Sequence, residues 1–252
     1  MSLIRRTLFT GATAFALTAS AAAMAWSFSF CSGEQIRGDG KLARESRQLS
    51  GFDSIKLSGN FDLKLKQSGT SRVELEGDGN LLPYIETRVV DGRKGKTLEV
   101  SVKRGYQVYA KQALKIEIDV AALRAVAIAG SGKVEVDSFK SDSLDFSVSG
   151  SGTVLAPRVD VGRLGMSISG SGDIVSGGKA AEASVAIAGS GDVRAQELAA
   201  DAVQVAISGS GDAAVQAFKT LKVSIAGSGD VRYSGNPELS TRIAGSGSVS
   251  KL

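Results

Sequence analysis

Seven copies of one short hydrophobic pattern occupy the second half of the chain. Each copy reads apolar-x-apolar-small-Gly-Ser-Gly-x-apolar, as in residues 126–134 and 223–231. The Gly-Ser-Gly tripeptides begin at Gly130, Gly150, Gly170, Gly189, Gly209, Gly227 and Gly245. Their spacing of 18–20 residues is typical of proteins in which identical structural units stack on one another.

Aligned copies share columns of apolar residues. Two residues before the first glycine stand Ile128, Val148, Ile168, Ile187, Ile207, Ile225 and Ile243. Four residues before it stand Val126, Phe146, Met166, Val185, Val205, Val223 and, as the exception, Thr241. Apolar residues at every second position predict strands with one buried face, and the chain between copies is too short for a typical helix.

A two-residue alternation inside a repeat of about twenty residues predicts the fold. We expect an all-β protein that forms a single-stranded parallel β-helix, or solenoid, with each copy as one coil. Neighbouring coils then lie ~4.8 Å apart, and equivalent residues form columns along the stack. An antiparallel β-sandwich is the alternative, but it does not require seven nearly identical turns.

The region before the repeats follows a looser pattern. Residues 48–125 lack the Gly-Ser-Gly unit but keep strand alternation, for example at 61–66 and 114–118. We interpret them as irregular N-terminal coils that cap the hydrophobic end of the solenoid, with the repeats at 126–250. Residues 26–47 are polar and are predicted to form a flexible tail.

The N-terminus has the features of an export signal. Arg5 and Arg6 precede an uncharged stretch that ends in a small-x-small triplet at 23–25. We predict that residues 1–25 are a signal peptide whose removal leaves no stable transmembrane segment. A membrane anchor is the alternative, but the stretch is short and diluted by Ser and Thr. Ordinary secretion is favoured over twin-arginine export.

Composition excludes several classes of function. The chain has 252 residues, no His and one Cys, which removes His-based triads, His-ligated zinc and any disulfide framework. The single Cys31 is interpreted as a free thiol near the N-terminus. The formal net charge of +4 is not concentrated in a basic, aromatic-rich patch of the kind that binds nucleic acid.

An acidic column follows the corners. The residue after each tripeptide is Lys133, Thr153, Asp173, Asp192, Asp212, Asp230 or Ser248. Stacked carboxylates can bind calcium, but a calcium β-roll needs similar Asp turns on both sides of each coil, and these are missing. We therefore favour solvated turn residues over a metal site.

Two further clusters could carry chemistry. Glu135 and Asp137 point the same way on a strand, with Asp142 and Asp145 nearby, and paired carboxylates are what a glycosidase uses. They also decorate any solvated β-face. The corner serines lack a general base and so are not expected to act as nucleophiles.

A basic and aromatic cluster lies before the repeats. It comprises Lys103, Arg104, Tyr106, Tyr109 and Lys111. Such a cluster can contact an anionic glycan or a lipid headgroup, although we favour an exposed loop.

Specific motifs resemble a known family. They are the string Gly51-Phe52-Asp53-Ser54-Ile55, the string Gly59-Asn60-Phe61, and the serial Gly-Ser-Gly-x-Val copies. Together they resemble the head GIN domain family of auto-transporter adhesin-like proteins over about residues 48–250. The resemblance implies an exported, right-handed single-stranded β-helix with no established catalysis.

These observations set the functional expectation. We predict a non-catalytic structural or interaction module of the cell envelope, adhesin-like, located in the periplasm or on the cell surface. Its partner is an unidentified envelope protein or glycan, and no catalytic, cofactor or metal residue is assigned. The alternative is a carbohydrate-active β-helix enzyme that acts on polysaccharide.

Overall fold

The structure is a computed structural model that describes residues 33–92 and 95–252. The predicted signal peptide and Cys31 lie outside this part of the chain. The strands before the repeats are β1 Glu34–Arg37, β2 Leu42–Arg47, β3 Ser54–Ser58, β4 Asp62–Gln67, β5 Arg72–Asp78, β6 Ile85–Gly92, β7 Gly95–Val102, β8 Tyr106–Tyr109 and β9 Lys115–Val120. In the described residues a single 3-10 turn, Leu82–Tyr84, contains Pro83 near its start and joins β5 to β6.

The repeats form longer strands. They are β10 Ala125–Gly130, β11 Lys133–Val136, β12 Phe139–Gly150, β13 Thr153–Gly170, β14 Asp173–Gly189, β15 Asp192–Gly209, β16 Ala213–Gly227, β17 Asp230–Ser234, β18 Glu238–Gly245 and β19 Ser248–Lys251. The segment in the middle of a coil, such as residues 139–146, does not form a separate strand. It continues into the strand that leads to the corner.

Successive repeats pair in parallel and in register, so the predicted solenoid is confirmed, with about six turns. Gly150 pairs with Gly170, which pairs with Gly189, and the series continues to Gly245. The Ile/Val column lies in the interior, where Ile168 and Ile187 are buried. These parallel ladders exclude the antiparallel sandwich for the repeats.

The first glycine of each corner has a conformation that other residues rarely adopt. Gly150 has a φ of +115°, and a Cβ placed on it would lie 2.7 Å from the carbonyl oxygen of Gly130 in the coil below. The next residue, Ser151, donates its backbone N–H to that same oxygen at 3.0 Å. The tripeptide therefore repeats because each corner sits directly on the backbone of the previous one.

Spatial order departs from chain order at the N-terminal end. Strands β3 and β4 pair in parallel with β10 and β11 on one side and with β7 and β9 on the other. The coil made by β3 and β4 is thus inserted between a later coil and the repeats.

Antiparallel strands complete this end of the stack. Strand β6 pairs with β7, and β5 pairs with both β9 and β2. Capping by the N-terminal region was expected, but this antiparallel arrangement was not.

For residues 34–47 the predicted flexible tail is wrong. Strand β1 pairs with β8, and β2 pairs with β5. Arg47 at the end of β2 donates hydrogen bonds to the carbonyl oxygens of Ile85 at 2.6 Å and Leu82 at 3.0 Å. Long-range pairing therefore orders a segment whose polar composition suggested none.

Candidate functional site

The acidic column forms a ladder of hydrogen bonds. Asp192 Oδ1 accepts the backbone N–H of Asp212 at 3.2 Å, and Asp212 Oδ1 accepts that of Asp230 at 2.9 Å. Asp230 Oδ1 then accepts both the backbone N–H and the hydroxyl of Ser248, at 2.9 and 2.7 Å. Each carboxylate thus binds the first residue after the corner of the next coil.

One arginine side chain lies beside this column. Arg194 is 3.7 Å from Asp173 and 3.6 Å from Asp192, which lowers the repulsion between stacked carboxylates. No group of three or more His, Cys, Asp or Glu side chains suited to a metal occurs in the described part of the chain. The hydrogen bonds between successive coils give the column a structural role.

A groove of about 480 Å³ contains the predicted carboxylate pair. It lies on the face that follows the corners, where β9, β4 and β11 run side by side. Its lining includes Lys64, Lys66, Glu117, Asp119, Glu135, Asp137, Leu155 and Pro157. Asp142 and Asp145 belong to β12 and are not part of this groove, so the structure does not bring the four predicted carboxylates together.

Opposite charges face each other across the groove. Lys64 in β4 is in register with Glu117 in β9 and with Glu135 in β11. One step further along the strands, Lys66 is in register with Asp119. Cross-strand pairs of opposite sign stabilise a sheet, so this pattern favours the insertion of β4 between these two strands.

Both predicted carboxylates are paired with cations. Glu135 lies 2.6 Å from Lys133, and this hydrogen bond lowers the pKa of the Glu135 carboxyl below its ordinary value. Asp137 lies 2.5 Å from Arg158. A glycosidase acid needs a carboxyl whose pKa is raised so that it stays protonated, and Glu135 shows the opposite shift.

The predicted basic and aromatic cluster lies at the capped end of the stack. Tyr106 and Tyr109 belong to β8, so they are strand residues rather than the expected loop. The ring of Tyr106 packs against Tyr84 with centroids 4.7 Å apart, whereas Tyr109 is 48% exposed. Lys103 and Arg104 are exposed in the turn before β8.

The sequence analysis did not identify Asp78, a buried carboxylate, as a candidate site residue. Its side chain is fully buried and accepts backbone N–H groups from Gly40 at 2.7 Å, Lys111 at 2.7 Å and Gln112 at 3.1 Å. Burial raises the pKa of Asp78, but these hydrogen bonds outweigh burial and leave it below the ordinary value. The only sequence signal was the turn-like string that begins at Asp78.

The corner serines are exposed. Ser190 and Ser210, for example, donate their backbone N–H groups to the glycine carbonyl one coil below, each at 2.9 Å. Their hydroxyls face solvent. Within residues 33–92 and 95–252, no helix has the length and apolar content needed to cross a bilayer.

A family model decides what the chain is related to. The family described as "Putative auto-transporter adhesin, head GIN domain" matches residues 51–237. The chain belongs to the head GIN domain family. Among curated proteins, no sequence matches this head GIN chain.

Solved structures share the same fold. A protein of Bacteroides fragilis named as a "putative adhesin" is 25% identical with a TM-score of 0.80, and the match covers 86% of the head GIN chain and 100% of that protein. A protein of Parabacteroides merdae with the same kind of name is 26% identical with a TM-score of 0.72, and the match covers 87% of the head GIN chain and 99% of that protein. A protein of Parabacteroides distasonis named as lipid binding is 27% identical with a TM-score of 0.73, covering 87% and 100%.

Proposed function

We propose that this head GIN protein is an exported, non-catalytic interaction module of the cell envelope, and that it binds an envelope or surface protein or glycan. The observation that carries this proposal is that the carboxylates of the groove and of the acidic column already have partners within the chain. The candidate acids of the groove are paired with Lys133 and Arg158, and three aspartates of the column accept hydrogen bonds from backbone N–H groups. The solved relatives named as adhesins support the same reading.

Export is tested on the protein recovered from its own cells. We expect an intact mass that corresponds to a chain starting at Trp26, in the fraction outside the cytoplasm. Neutral residues in place of Arg5 and Arg6 should slow this processing, because the basic n-region orients the signal. A full-length chain that stays in the cytoplasm would contradict the proposal.

The groove is the surface that we assign to partner contact. Its exposed cations stand among carboxylates, and Leu155 and Pro157 add apolar area at one end. Binding of the purified protein to isolated envelopes should fall in the double variant Lys64→Ala/Lys66→Ala. The matched control, Lys219→Ala/Lys222→Ala in β16, removes two cations several coils away and should bind normally. Equal loss in both variants would show that the groove is not the contact surface.

The enzyme alternative is tested with a panel of polysaccharides. We expect no release of reducing ends, because Glu135 is held ionised by Lys133. Release by the wild-type protein that disappears in Glu135→Gln/Asp137→Asn would reverse the choice in favour of a glycosidase.

Lipid-headgroup binding is a second candidate. It is favoured by Lys103 and Arg104, which are exposed in the turn before β8, the strand that ends at the exposed Tyr109. A relative of 27% identity is named as lipid binding. Flotation with phosphatidylglycerol vesicles should then show binding that falls with salt and in Lys103→Glu/Arg104→Glu. Equal behaviour with neutral phosphatidylcholine vesicles would argue against it.

A further inference from the structure

The last coil of the solenoid exposes residues that the other coils bury. Leu239 and Ile243 in β18 are 41% and 42% exposed. Their partners one coil below, Leu221 and Ile225, are 0% and 1% exposed. These side chains point toward the interior of the stack, so the end of the solenoid presents apolar core positions to solvent.

The same coil has an open sheet edge. Strand β18 pairs with β16, and β19 pairs with β17. Among the described residues, the only ladders that include β18 or β19 are these two, so the other side of each strand is left without a partner strand. A row of unpaired backbone N–H and C=O groups is a template for pairing with a further strand.

The opposite end of the molecule shows what such an edge accepts. There the terminal coil contains β7 and β9, and each receives an antiparallel partner, β6 and β5 respectively. A coil of this fold can therefore be completed by antiparallel strands. Two copies related by a two-fold axis across the end of the stack would provide antiparallel strands to each other.

We propose that a second copy of this chain pairs with the first through β18, antiparallel, with the two-fold axis at Thr241. In this register Leu239 lies opposite Ile243 of the second copy, and both keep their side chains on the interior face. Thr241 lies opposite its own equivalent. The two apolar cores then join into one continuous stack.

Charge and sequence both suit this register. Glu238 and Arg242 are exposed in β18, and the register places Glu238 diagonally across from Arg242 of the second copy, within reach of a long side chain. The two-fold axis forms this pair twice. Thr241 is the residue that interrupts the apolar column of the repeats, and Thr–Thr pairs are favourable across antiparallel strands.

Self-complementarity is the reason to choose a second copy over an unrelated strand. Every contact in this register comes from the chain's own β18. Apolar residues lie opposite apolar residues, and the two Glu238–Arg242 diagonals outnumber the single Arg242–Arg242 diagonal at the axis. A foreign peptide added to the edge would hydrogen-bond to the backbone of β18, but its side chains would not be complementary to Leu239, Ile243 and the two charged residues.

The first test is the mass of the purified protein in solution, measured by sedimentation velocity. We expect a dimer, and we expect Ile243→Asp to weaken it by ~100-fold or more, because the substitution buries a carboxylate in the joined core. Phe218→Asp is the matched control, since Phe218 is 50% exposed on the side of the stack and should leave the dimer intact. A monomer at all accessible concentrations, or a dimer insensitive to Ile243→Asp, overturns the proposal.

Charge reversal keeps the test independent of folding. Glu238→Arg and Arg242→Glu should each weaken the dimer, and the double variant should restore it, because both cross-copy pairs return with their signs exchanged. Circular dichroism should show all three folded, since the residues are exposed. A double variant no tighter than the singles overturns the register.

A disulfide trap tests the position of the axis. In a Cys31→Ser background, Thr241→Cys should form an intermolecular disulfide with oxidised glutathione, because the two positions face each other. Ser208→Cys, on an exposed outward position of β15, is the control and should remain monomeric on a non-reducing gel. Equal cross-linking of both variants overturns the proposal.

Discussion

At the scale of single residues, the corner glycines and one buried aspartate define the fold. A side chain at Gly150 faces two separate penalties, a positive φ and a collision with a backbone oxygen that cannot move without shifting the whole coil below. Asp78 gathers three backbone N–H groups from two loops that are distant in sequence. Gly150 is required for its backbone conformation, and Asp78 is required to bind backbone N–H groups. A conservative side-chain replacement at either position does not preserve the role.

Gly150→Ala should lower the free energy of unfolding by ~2–4 kcal/mol, which combines left-handed backbone strain with steric overlap. Gly69→Ala is the matched control, because a Cβ at Gly69 meets no atom within 4 Å. Chemical denaturation of both variants measures the difference. Equal stability of the two would mean that the corner relaxes freely.

Asp78→Asn should lower the melting temperature by roughly 5 °C at neutral pH, because a carboxylate accepts the three N–H groups better than an amide does. The pKa of Asp78 is lowered in the folded state, so its contribution is present above the unfolded pKa of ~3.9 and is lost as pH falls through the folded pKa.

The difference in melting temperature between wild type and Asp78→Asn should therefore be constant from neutral pH to about pH 5 and shrink below about pH 4. Asp201→Asn, at an exposed aspartate, should show a small difference throughout. A difference that grows on acidification would contradict the assigned protonation state.

At the scale of elements, ion pairs mark where strands meet out of chain order. Arg124 donates two hydrogen bonds to Asp53 Oδ2, at 3.0 and 2.7 Å, and thereby lowers the pKa of the Asp53 carboxyl. Lys56 lies 3.5 Å from Glu99 on the neighbouring strand. Within the repeats, the corner geometry can set the register of neighbouring strands. At the inserted coil, pairs of opposite charge lie between the strands that are in register.

Lys64→Glu should destabilise the protein by ~1 kcal/mol, because it places a third carboxylate between Glu117 and Glu135. The cost should shrink in high salt, which screens exposed charges. Lys222→Glu is the control, since its register partners Gln204 and Ser240 are uncharged. Urea titrations at low and high salt measure both, and a cost independent of salt would point to packing instead.

The sequence was sufficient for the repeats and insufficient for the cap, for a physical reason. Each repeat contributes one residue to the same buried column. Aligning the repeats, for example Ile168 with Ile187, therefore predicts which residues stack. Strands β2 and β5 have no repeat partner, and their pairing depends on contacts between segments that share no pattern. The groove carboxylates were recognisable, but the partner of Asp137, Arg158, lies on the next coil and 21 residues away in sequence.

At the scale of the whole molecule, stability is carried by contacts between neighbouring coils. Interior coils such as β14 contact a coil on both sides, whereas β18 and β19 contact a coil on one side only. Solenoids of this kind behave as a series of units coupled to their neighbours. The end coil is thus expected to open first in an isolated copy.

Amide hydrogen exchange should be fastest in β18 and β19 and slowest in β14 when the protein is held monomeric by Ile243→Asp. In the proposed wild-type dimer, protection of β18 should rise while that of β14 stays the same. Mass spectrometry of peptides from each strand resolves the two, and uniform protection along the stack would contradict coil-by-coil coupling.

The inserted coil has a consequence for how the protein is made. A ribosome delivers β3 and β4 before β7 and β9, yet these strands become the inner neighbours of both later segments. The Asp53–Arg124 contact spans 71 residues, compared with 18–20 between repeats. A nascent chain therefore holds β3 and β4 without their partner strands until β7, β9, β10 and β11 have emerged, after which each new coil can pair with the coil before it. We therefore expect slow assembly of β3, β4 and their partner strands, followed by rapid addition of the later coils one after another.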